Sequence, residues 1–330
     1  MTIVFSLFLL SMLVLVAVAV LRTDNLFTAV MLSGVFSLIM AANFFVLDAA
    51  DVALTEAVIG AGISTVLFLG ALALTSEQDR SPPVGSWVPL LTSSALGGVI
   101  IYAVMQAPRL GDPNAIVHMH VAPWYLEKTP ELIDVPNVVT AVLASFRGYD
   151  TLGEVFVVFI ACIGVMSLLG RVRPRRETIS EETFSKQSRN LRHHLIPRVV
   201  GKMLIPFIVL FGLYVQFHGD FGPGGGFQAG ALVAAGIILY ALLEGDTRAR
   251  QLVPEWFSSV LVALGAFTYA SVGVACMVMG GRFLDYSVLD PHDAIHGQHL
   301  GILLVEAGVG MTVAGVMITI FHAFARRGIR

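Results

Sequence analysis

The chain has 330 residues, of which 56% are hydrophobic and only 13% charged, with a net charge of −3. Soluble domains carry about 25% charged residues, so the composition excludes an ordinary soluble protein and indicates an all-α, polytopic membrane protein. The small net charge gives no basis for nucleic-acid binding. Cys162 and Cys276 each lie in an apolar run without metal-ligand spacing, so we expect no disulfide framework, no metal site and no cofactor.

Apolar runs long enough to cross a bilayer recur nine times. A hydrocarbon core of about 30 Å needs about 20 helical residues. The predicted spans are 1–21, 25–47, 51–74, 86–106, 151–170, 199–217, 227–243, 256–279 and 297–324. The first run lacks a positive segment before it, and Arg22 follows it, so we expect a retained helix and not a cleaved signal peptide.

The basic segment 171–202 contains nine of the 20 Lys and Arg residues. Positive residues accumulate in cytoplasmic loops because they resist translocation. With this segment inside, 16 of the 20 fall on the cytoplasmic side. An odd number of spans then places the N-terminus outside and the C-terminus in the cytoplasm, in a multi-pass protein of the plasma membrane.

The spans and loops divide the chain into four regions. Residues 1–106 form a four-helix region, and 107–170 form a long outer connection followed by the fifth span. Residues 171–197 form a basic cytoplasmic linker, and 198–330 form a second four-helix domain. Apolar residues at helical spacing in the outer connection predict a short helix along the outer surface. These residues are Val138, Val139, Val142, Leu143 and Phe146.

Glu56 and Glu306 lie deeper inside predicted spans than the other acids, and an ionisable group costs about 2.5 to 3.5 kcal/mol at the bilayer centre. Glu56 follows Asp51 in the run DVALTEAVIGAG, about 7 to 8 Å further along the helix. Glu306 is the most deeply placed acid, and His299 lies on the same helical face. Burial disfavours the charged carboxyl, so these four residues are candidates for a proton or cation path. A headgroup contact for Glu56 and a protonated packing role for Glu306 are the alternatives.

His292, His296 and His299 repeat at helical spacing. Three imidazoles on one face are able to bind zinc. The repeat follows Pro291 at the start of a span, and histidines that titrate near neutral pH suit proton exchange equally well. We therefore favour proton exchange over a metal.

A glycine-rich turn, QFHGDFGPGGGFQAG at residues 216–230, separates the sixth and seventh spans. It lacks the lysine and hydroxyl of a nucleotide-binding P-loop. A cation mouth formed by His218, Asp220 and Gln228 is weighed against a purely structural turn. Gly226, Gly230 and Ala234 predict a face for close helix packing. The candidate residues are His218, Asp220, Pro223, Gly224, Gly225, Gly226, Phe227 and Gln228.

The stretch FRGYDTLGE, residues 146–154, leads into the fifth span. Arg147 and Asp150 are close enough in the sequence to pair. We expect the pair to anchor the start of the helix, and Glu154 is a further candidate for the proton path.

FRGYDTLGE and the preceding NVVTAVLAS resemble the closing region of the large A-type component of Mrp multisubunit cation/proton antiporters. The run DVALTEAVIGAG resembles the span just upstream in that component. Both are also similar to the D- and E-type membrane subunits of membrane-bound hydrogenases. From about residue 198 the chain resembles the B-type antiporter subunit, whose hallmark PGGGF stands at residues 223–227.

The resemblance implies a subunit of a complex that exchanges cytoplasmic Na⁺ for external protons, and it implies that Glu56 is an ion-path residue. The implied partners are large A- and D-type channel subunits and small C-, E-, F- and G-type subunits. The sequence lacks the channel region that precedes this tail in A-type subunits, so we expect a separate polypeptide to supply it.

The alternative is a scaffold without transport, in an antiporter-like complex or in one related to complex I or the hydrogenases. We do not expect an enzyme, because no nucleophile and base stand at recognisable spacing.

Overall fold

A computed structural model of the chain describes residues 2–72, 75, 87–109, 111–169 and 195–328. Within these ranges nine helices are long and apolar enough to cross a membrane. The predicted fold class and number of spans are confirmed. The predicted linker 171–197 lies outside the described residues as far as residue 194. The membrane orientation, which depends on that linker, stays a prediction.

The N-terminal region contains four long helices. They are α1 (Thr2–Arg22), α2 (Leu26–Val46), α3 (Ala50–Leu72) and α4 (Trp87–Gln106). Inside α3, residues Glu56–Ile63 form a π-helix between two α-helical parts. The Ser64 hydroxyl donates to the carbonyls of Ile59 and Gly60, at 2.8 and 2.6 Å, and so supports the wider turn. This π-helix is not among the predicted elements.

The connection between the fourth and fifth spans contains two helical stretches. The π-helix Val117–Val121 continues into α5 (Ala122–Leu132), and the short α6 covers residues 138–146, of which Ala141–Phe146 are π-helical. The predicted short helix corresponds to α6, and its place along the outer surface stays a prediction. The Asn137 side chain caps α6 by accepting a hydrogen bond from the N–H of Val139 at 3.0 Å. α5 is missing from the predicted elements because prolines usually end helices. Pro123 lies where the π-helix Val117–Val121 passes into α5, and Pro130 lies inside α5.

The remaining helices follow in the chain, and the last of them, α12, lies among the others. They are α7 (Gly148–Leu169), α8 (Leu195–His218), α9 (Gly226–Glu244), α10 (Asp246–Leu252), α11 (Glu255–Val278) and α12 (Ala294–Gly328). α12 has 35 residues, and at about 1.5 Å per residue it outreaches the hydrocarbon core. It packs against α9, α11, α7 and α3. Its buried Ile302, Val305, Val309 and Val313 lie in the core.

Two glycines allow α9 to lie backbone to backbone on α12. A Cβ on Gly226 would lie 2.1 Å from the carbonyl oxygen of Glu306, and one on Gly230 would lie 2.4 Å from that of Gly310. Ala234, on the same face, is fully buried. No side chain fits at either glycine, so the predicted small-residue face is the closest contact between these helices.

Substitution of Gly230 by alanine should separate α9 from α12. We expect Gly230→Ala to lower the thermal unfolding midpoint of the purified protein, because overpacking of this kind costs about 1 to 3 kcal/mol. The matched control is Gly153→Ala in α7, where an added Cβ meets no atom within 4 Å. An equal fall in both variants would contradict the close contact.

Candidate functional site

The glycine-rich turn is held by its own backbone over the last turn of α8. The N–H of Gly225 donates to the carbonyl of Val215 at 3.1 Å, and the N–H groups of Phe221 and Gly222 donate to the carbonyl of His218. Gly225 has a φ of 121°, a backbone conformation that residues other than glycine rarely adopt. The turn therefore requires glycine at this position to fold back towards α12.

The segment between α4 and α7 also holds this turn. The Asn137 amide donates to the carbonyls of Gly219 and Gly222, at 3.0 and 2.8 Å. The Thr140 hydroxyl also donates to the carbonyl of Gly219, at 2.7 Å. The sequence gives no sign of this role for Asn137 and Thr140, because their partners lie about 80 residues away in the chain.

The start of α3 docks on the same turn. Asp51 Oδ1 accepts a hydrogen bond from the N–H of Gly224 at 3.2 Å. One turn further along α3, the Thr55 hydroxyl oxygen accepts a hydrogen bond from the amide of Gln228 at 2.9 Å. Two candidates from separate regions of the sequence, Asp51 and the PGGGF turn, are therefore in direct contact.

Glu306 lies beneath the turn. A Cβ on Gly219 would lie 3.1 Å from its Oε2, and a Cβ on Gly225 would lie 3.1 Å from its Oε1. The carboxyl group thus sits between the two ends of the turn, where the absence of side chains makes room for it. It accepts no hydrogen bond from any residue that the structure describes, and the charges of Asp220 and Asp51 act on it.

Asp220 and His299 complete the cluster. Asp220 Oδ2 lies 3.7 Å from His299 Nδ1. Burial raises the pKa of the Asp220 carboxyl above its ordinary value, and the nearby His299 opposes that shift. The acid cluster is defined here as Asp51, Asp220 and Glu306, with His299 beside it.

The side chains of two other candidates, Glu56 and His218, pack against other parts of the structure. A Cβ on Gly60 would lie 2.6 Å from Glu56 Oε1 and 2.8 Å from Ser37 Oγ. The Glu56 carboxylate therefore lies between α3 and α2. The His218 ring stacks on Tyr214, with a centroid distance of 4.8 Å. The predicted mouth residues His218, Asp220 and Gln228 thus have three different partners.

The remaining candidates lie in the turn and at the start of α7. Phe227 is partly buried and packs against the hydrophobic core, whereas Pro223 is exposed. At the start of α7, Arg147 and Asp150 form the predicted ion pair, and both side chains are exposed. Glu154 is exposed on α7. Its charge and that of Glu306 both act on the buried Tyr269.

The histidine repeat does not form one helical face, because α12 begins at Ala294, after His292. The N–H of His292 donates to Asp290 at 2.9 Å, and His296 Nδ1 lies 2.7 Å from Asp290 Oδ2. These contacts lower the pKa of Asp290, with the backbone bond from His292 as the larger cause. Over the described part of the chain no group of three or more His, Cys, Asp or Glu side chains is arranged to hold a metal.

Three family models match successive parts of the chain. The model of the D-type MBH subunit matches residues 11–77, and the model of the E-type MBH subunit matches residues 93–187. The "Domain related to MnhB subunit of Na+/H+ antiporter" matches residues 196–319, which include the glycine-rich turn and α12 as far as Thr319.

The chain is similar to a probable K⁺/H⁺ antiporter protein of the combined A/B type from Rhizobium meliloti, with 26% identity over 94% of this chain and 33% of that protein. It is 31% identical to the "Putative antiporter subunit mnhB2" of Staphylococcus haemolyticus, over 40% of this chain and 94% of that protein. A chain in the structure of the Mrp complex from Dietzia sp. DQ12-45-1b superposes with a TM-score of 0.75 and 25% identity, over 96% of this chain and 34% of that one.

These matches define the class of the protein as subunits of multisubunit membrane antiporters. Antiporters are transporters. The chain belongs to the Mrp antiporter family, in which it joins an A-type closing region to a B-type subunit. It spans about a third of the length of the Rhizobium protein and of the Dietzia chain.

Substitution of Asp220 by asparagine should alter the pH dependence of stability. Because its pKa is raised in the folded protein, its contribution to the free energy of unfolding is largest below the unfolded value of about 3.9 and falls as pH rises through the folded pKa. We therefore expect the thermal midpoint of Asp220→Asn to fall less than that of the parent between about pH 4 and 7. The exposed Glu127→Gln is the control and should follow the parent.

Proposed function

We propose that the chain is a membrane subunit of a multisubunit monovalent cation/proton antiporter in the plasma membrane. In this proposal the acid cluster takes up and releases either a proton or a cation during transport. The observation that carries it is the carboxyl of Glu306 beneath the turn, which has no hydrogen-bond partner among the described residues and lies within reach of the charges of two further acids from separate segments. Na⁺ is the cation we expect, and K⁺ is the alternative suggested by the name of the Rhizobium relative.

The chemistry of the cluster suits exchange. Like charges held close together repel, so either a proton or a cation relieves the repulsion among the three carboxylates. A protonated carboxyl is a poor cation ligand, because ligands bind metal ions in their deprotonated form. Proton binding and cation binding at Glu306 therefore exclude each other, which is the coupling that an antiporter needs.

A scaffold role without transport is the second candidate. The hydrogen bonds of Asn137, Thr140 and Asp51 to the turn tie three segments together. Such contacts serve equally well to hold an assembly in one shape. The two roles differ in what happens when the charge of one acid is removed without a change in its size.

The proposed partners are large A- and D-type channel subunits and small C-, E-, F- and G-type subunits. Helix α4 contains no buried residue within the chain. Lipid or neighbouring subunits must therefore cover its apolar side chains. No enzymatic activity is part of the proposal, since the site offers acids and a histidine beside a backbone turn but no nucleophile with its base.

Neutralisation of Glu306 and of Glu56, one at a time, tests the transport role. We expect Glu306→Gln to lower cation-dependent dissipation of a pH gradient in everted vesicles by roughly tenfold or more, which is about 1.4 kcal/mol. We expect Glu56→Gln to lower it as well, because the family resemblance places Glu56 in the ion path. Both variants should assemble at the parent level.

The exposed Glu127→Gln is the matched control for these two variants and should transport normally. Parent-level transport by Glu306→Gln would refute the role of the acid cluster. Loss of the assembled complex in both variants, measured by co-purification of the other subunits, would instead favour the scaffold.

The proposed orientation is tested by labelling introduced cysteines with an impermeant thiol reagent. Both native cysteines are buried, so the background should be low. Asn114 and Thr247 are exposed and lie on sides predicted to be outer and cytoplasmic. We expect Asn114→Cys to react in intact cells and Thr247→Cys to react only after permeabilisation. The reverse pattern would invert the topology.

A further inference from the structure

A second polar site lies at the other end of α12. His322 follows Glu306 by 16 residues, which is about 24 Å along the helix axis. Its side chain is only 3% exposed. The buried Val309, Val313 and Val316 lie between the two residues. The two ends of α12 therefore carry separate polar sites, with these valines and the buried Thr312 between them.

The ring of His322 is held through one nitrogen. Nδ1 lies 2.6 Å from Asp246 Oδ1. The other carboxylate oxygen of Asp246 accepts a hydrogen bond from Arg250 Nε at 2.6 Å, and Arg250 also donates to the His322 carbonyl at 3.0 Å. Beside an ionised carboxylate Nδ1 carries the hydrogen, so Nε2 holds the lone pair of the neutral ring.

Nε2 is buried and has no hydrogen-bond partner in the described ranges. His322 lines a cavity of about 30 Å³ together with Ser258, Ser259, Thr319, Glu255 and Arg326, and with Met166 of α7. A site that holds one water molecule needs about 10 to 15 Å³. The cavity is therefore large enough for water to reach the ring.

The wall of this cavity is rich in acceptors. The Thr319 hydroxyl donates to Ser258 Oγ at 3.0 Å, and the Ser258 hydroxyl donates to the carbonyl of Glu255 at 3.1 Å. Both hydroxyl hydrogens are thus used, which leaves the lone pairs of Thr319 Oγ1 and one lone pair of Ser258 Oγ as acceptors. An acceptor-rich wall favours a protonated ring, which presents an N–H at Nε2.

The charged groups around His322 balance one another. Asp246 and Arg250 face it from α10, Glu255 comes from the start of α11, and Arg326 comes from α12 itself. α7 contributes the uncharged Met166. The charges of the two acids and the two cations cancel. A proton bound at Nε2 would therefore give the group a net positive charge.

The cavity also leads outward. Ser258 and Thr319 are buried, whereas Ser259 and Arg326 in the same wall are exposed. We propose that His322 is a proton-binding site that exchanges with water on the side of the membrane opposite the glycine-rich turn. The proton adds to the lone pair of Nε2 and comes from water in the cavity. Its use in antiport rests on the proposed function.

The first test does not depend on transport. Histidine-selective ¹⁵N NMR of the purified full-length protein should show a titrating signal between about pH 5 and 9 that is missing in His322→Gln. Glutamine is polar and similar in size to histidine but cannot take up a proton. The exposed His120→Gln should remove a different signal. A His322 signal that stays unchanged over this range would overturn the proposal.

A second variant leaves the ring in place, should His322→Gln fail to fold. Thr319→Val keeps the shape of the side chain but removes one acceptor from the wall. The substitution alters the wall beside Nε2, so we expect the pH-dependent signal to change its chemical shift, which identifies it as that of His322. If Thr319→Val leaves every pH-dependent histidine signal unaffected, the proposal is overturned.

The role in antiport is tested separately on the assembled complex. His322→Gln should lower the rate in everted vesicles roughly threefold or more near neutral pH and flatten its dependence between about pH 6 and 7.5, while His120→Gln follows the parent. A titrating signal with an unchanged pH profile would overturn only the role in transport. Absence of antiport in the parent would refute the proposed function and leave the NMR result to decide the proton site.

Discussion

The close approach of α9 to α12 is the constraint on which the candidate site depends. Gly226 and Gly230 allow the two backbones to meet where any Cβ would clash with a carbonyl oxygen. Because the helices lie so close, the turn that precedes α9 lies over Glu306. The free N–H and carbonyl groups of that turn then bind Asp51, Asn137 and Thr140. Without this approach the three acids would have no common neighbour.

The segments that resemble different subunits meet at this turn. Asp51 comes from the D-type segment, and Asn137 and Thr140 come from the E-type segment. The turn itself belongs to the B-type domain. When segments that contact one another are joined in a single chain, their effective concentration relative to each other rises. Buried Tyr269 and Tyr286 of the B-type domain reinforce the contact by donating to the carbonyls of Gly148 and Ala144. The fused chain thus places three subunit-like parts around one acid cluster.

The two ends of α12 have different chemistry. Near the glycine-rich turn, acids outnumber the single histidine beside them, which suits a site that attracts cations. At the other end, carboxylates are matched by Arg250, Arg326, Arg198 and Lys202, and Glu244 is almost fully buried among its cations. Between them the largely apolar middle of the helix contains the buried Thr312, whose hydroxyl donates to the carbonyl of Gly308.

The sequence alone determined the nine spans and the family, because the thickness of the hydrocarbon core sets the length of an apolar helix and PGGGF is a local motif. It also singled out Asp51, Asp220, Glu306 and His299 as candidates. Only the tertiary structure decided which of them meet. Depth in the membrane follows from position along one helix, but lateral contacts depend on how helices rotate and pack. For that reason Glu56 lies against α2, the π-helix and α5 went unpredicted, and Asn137 emerged as a tether only in the fold.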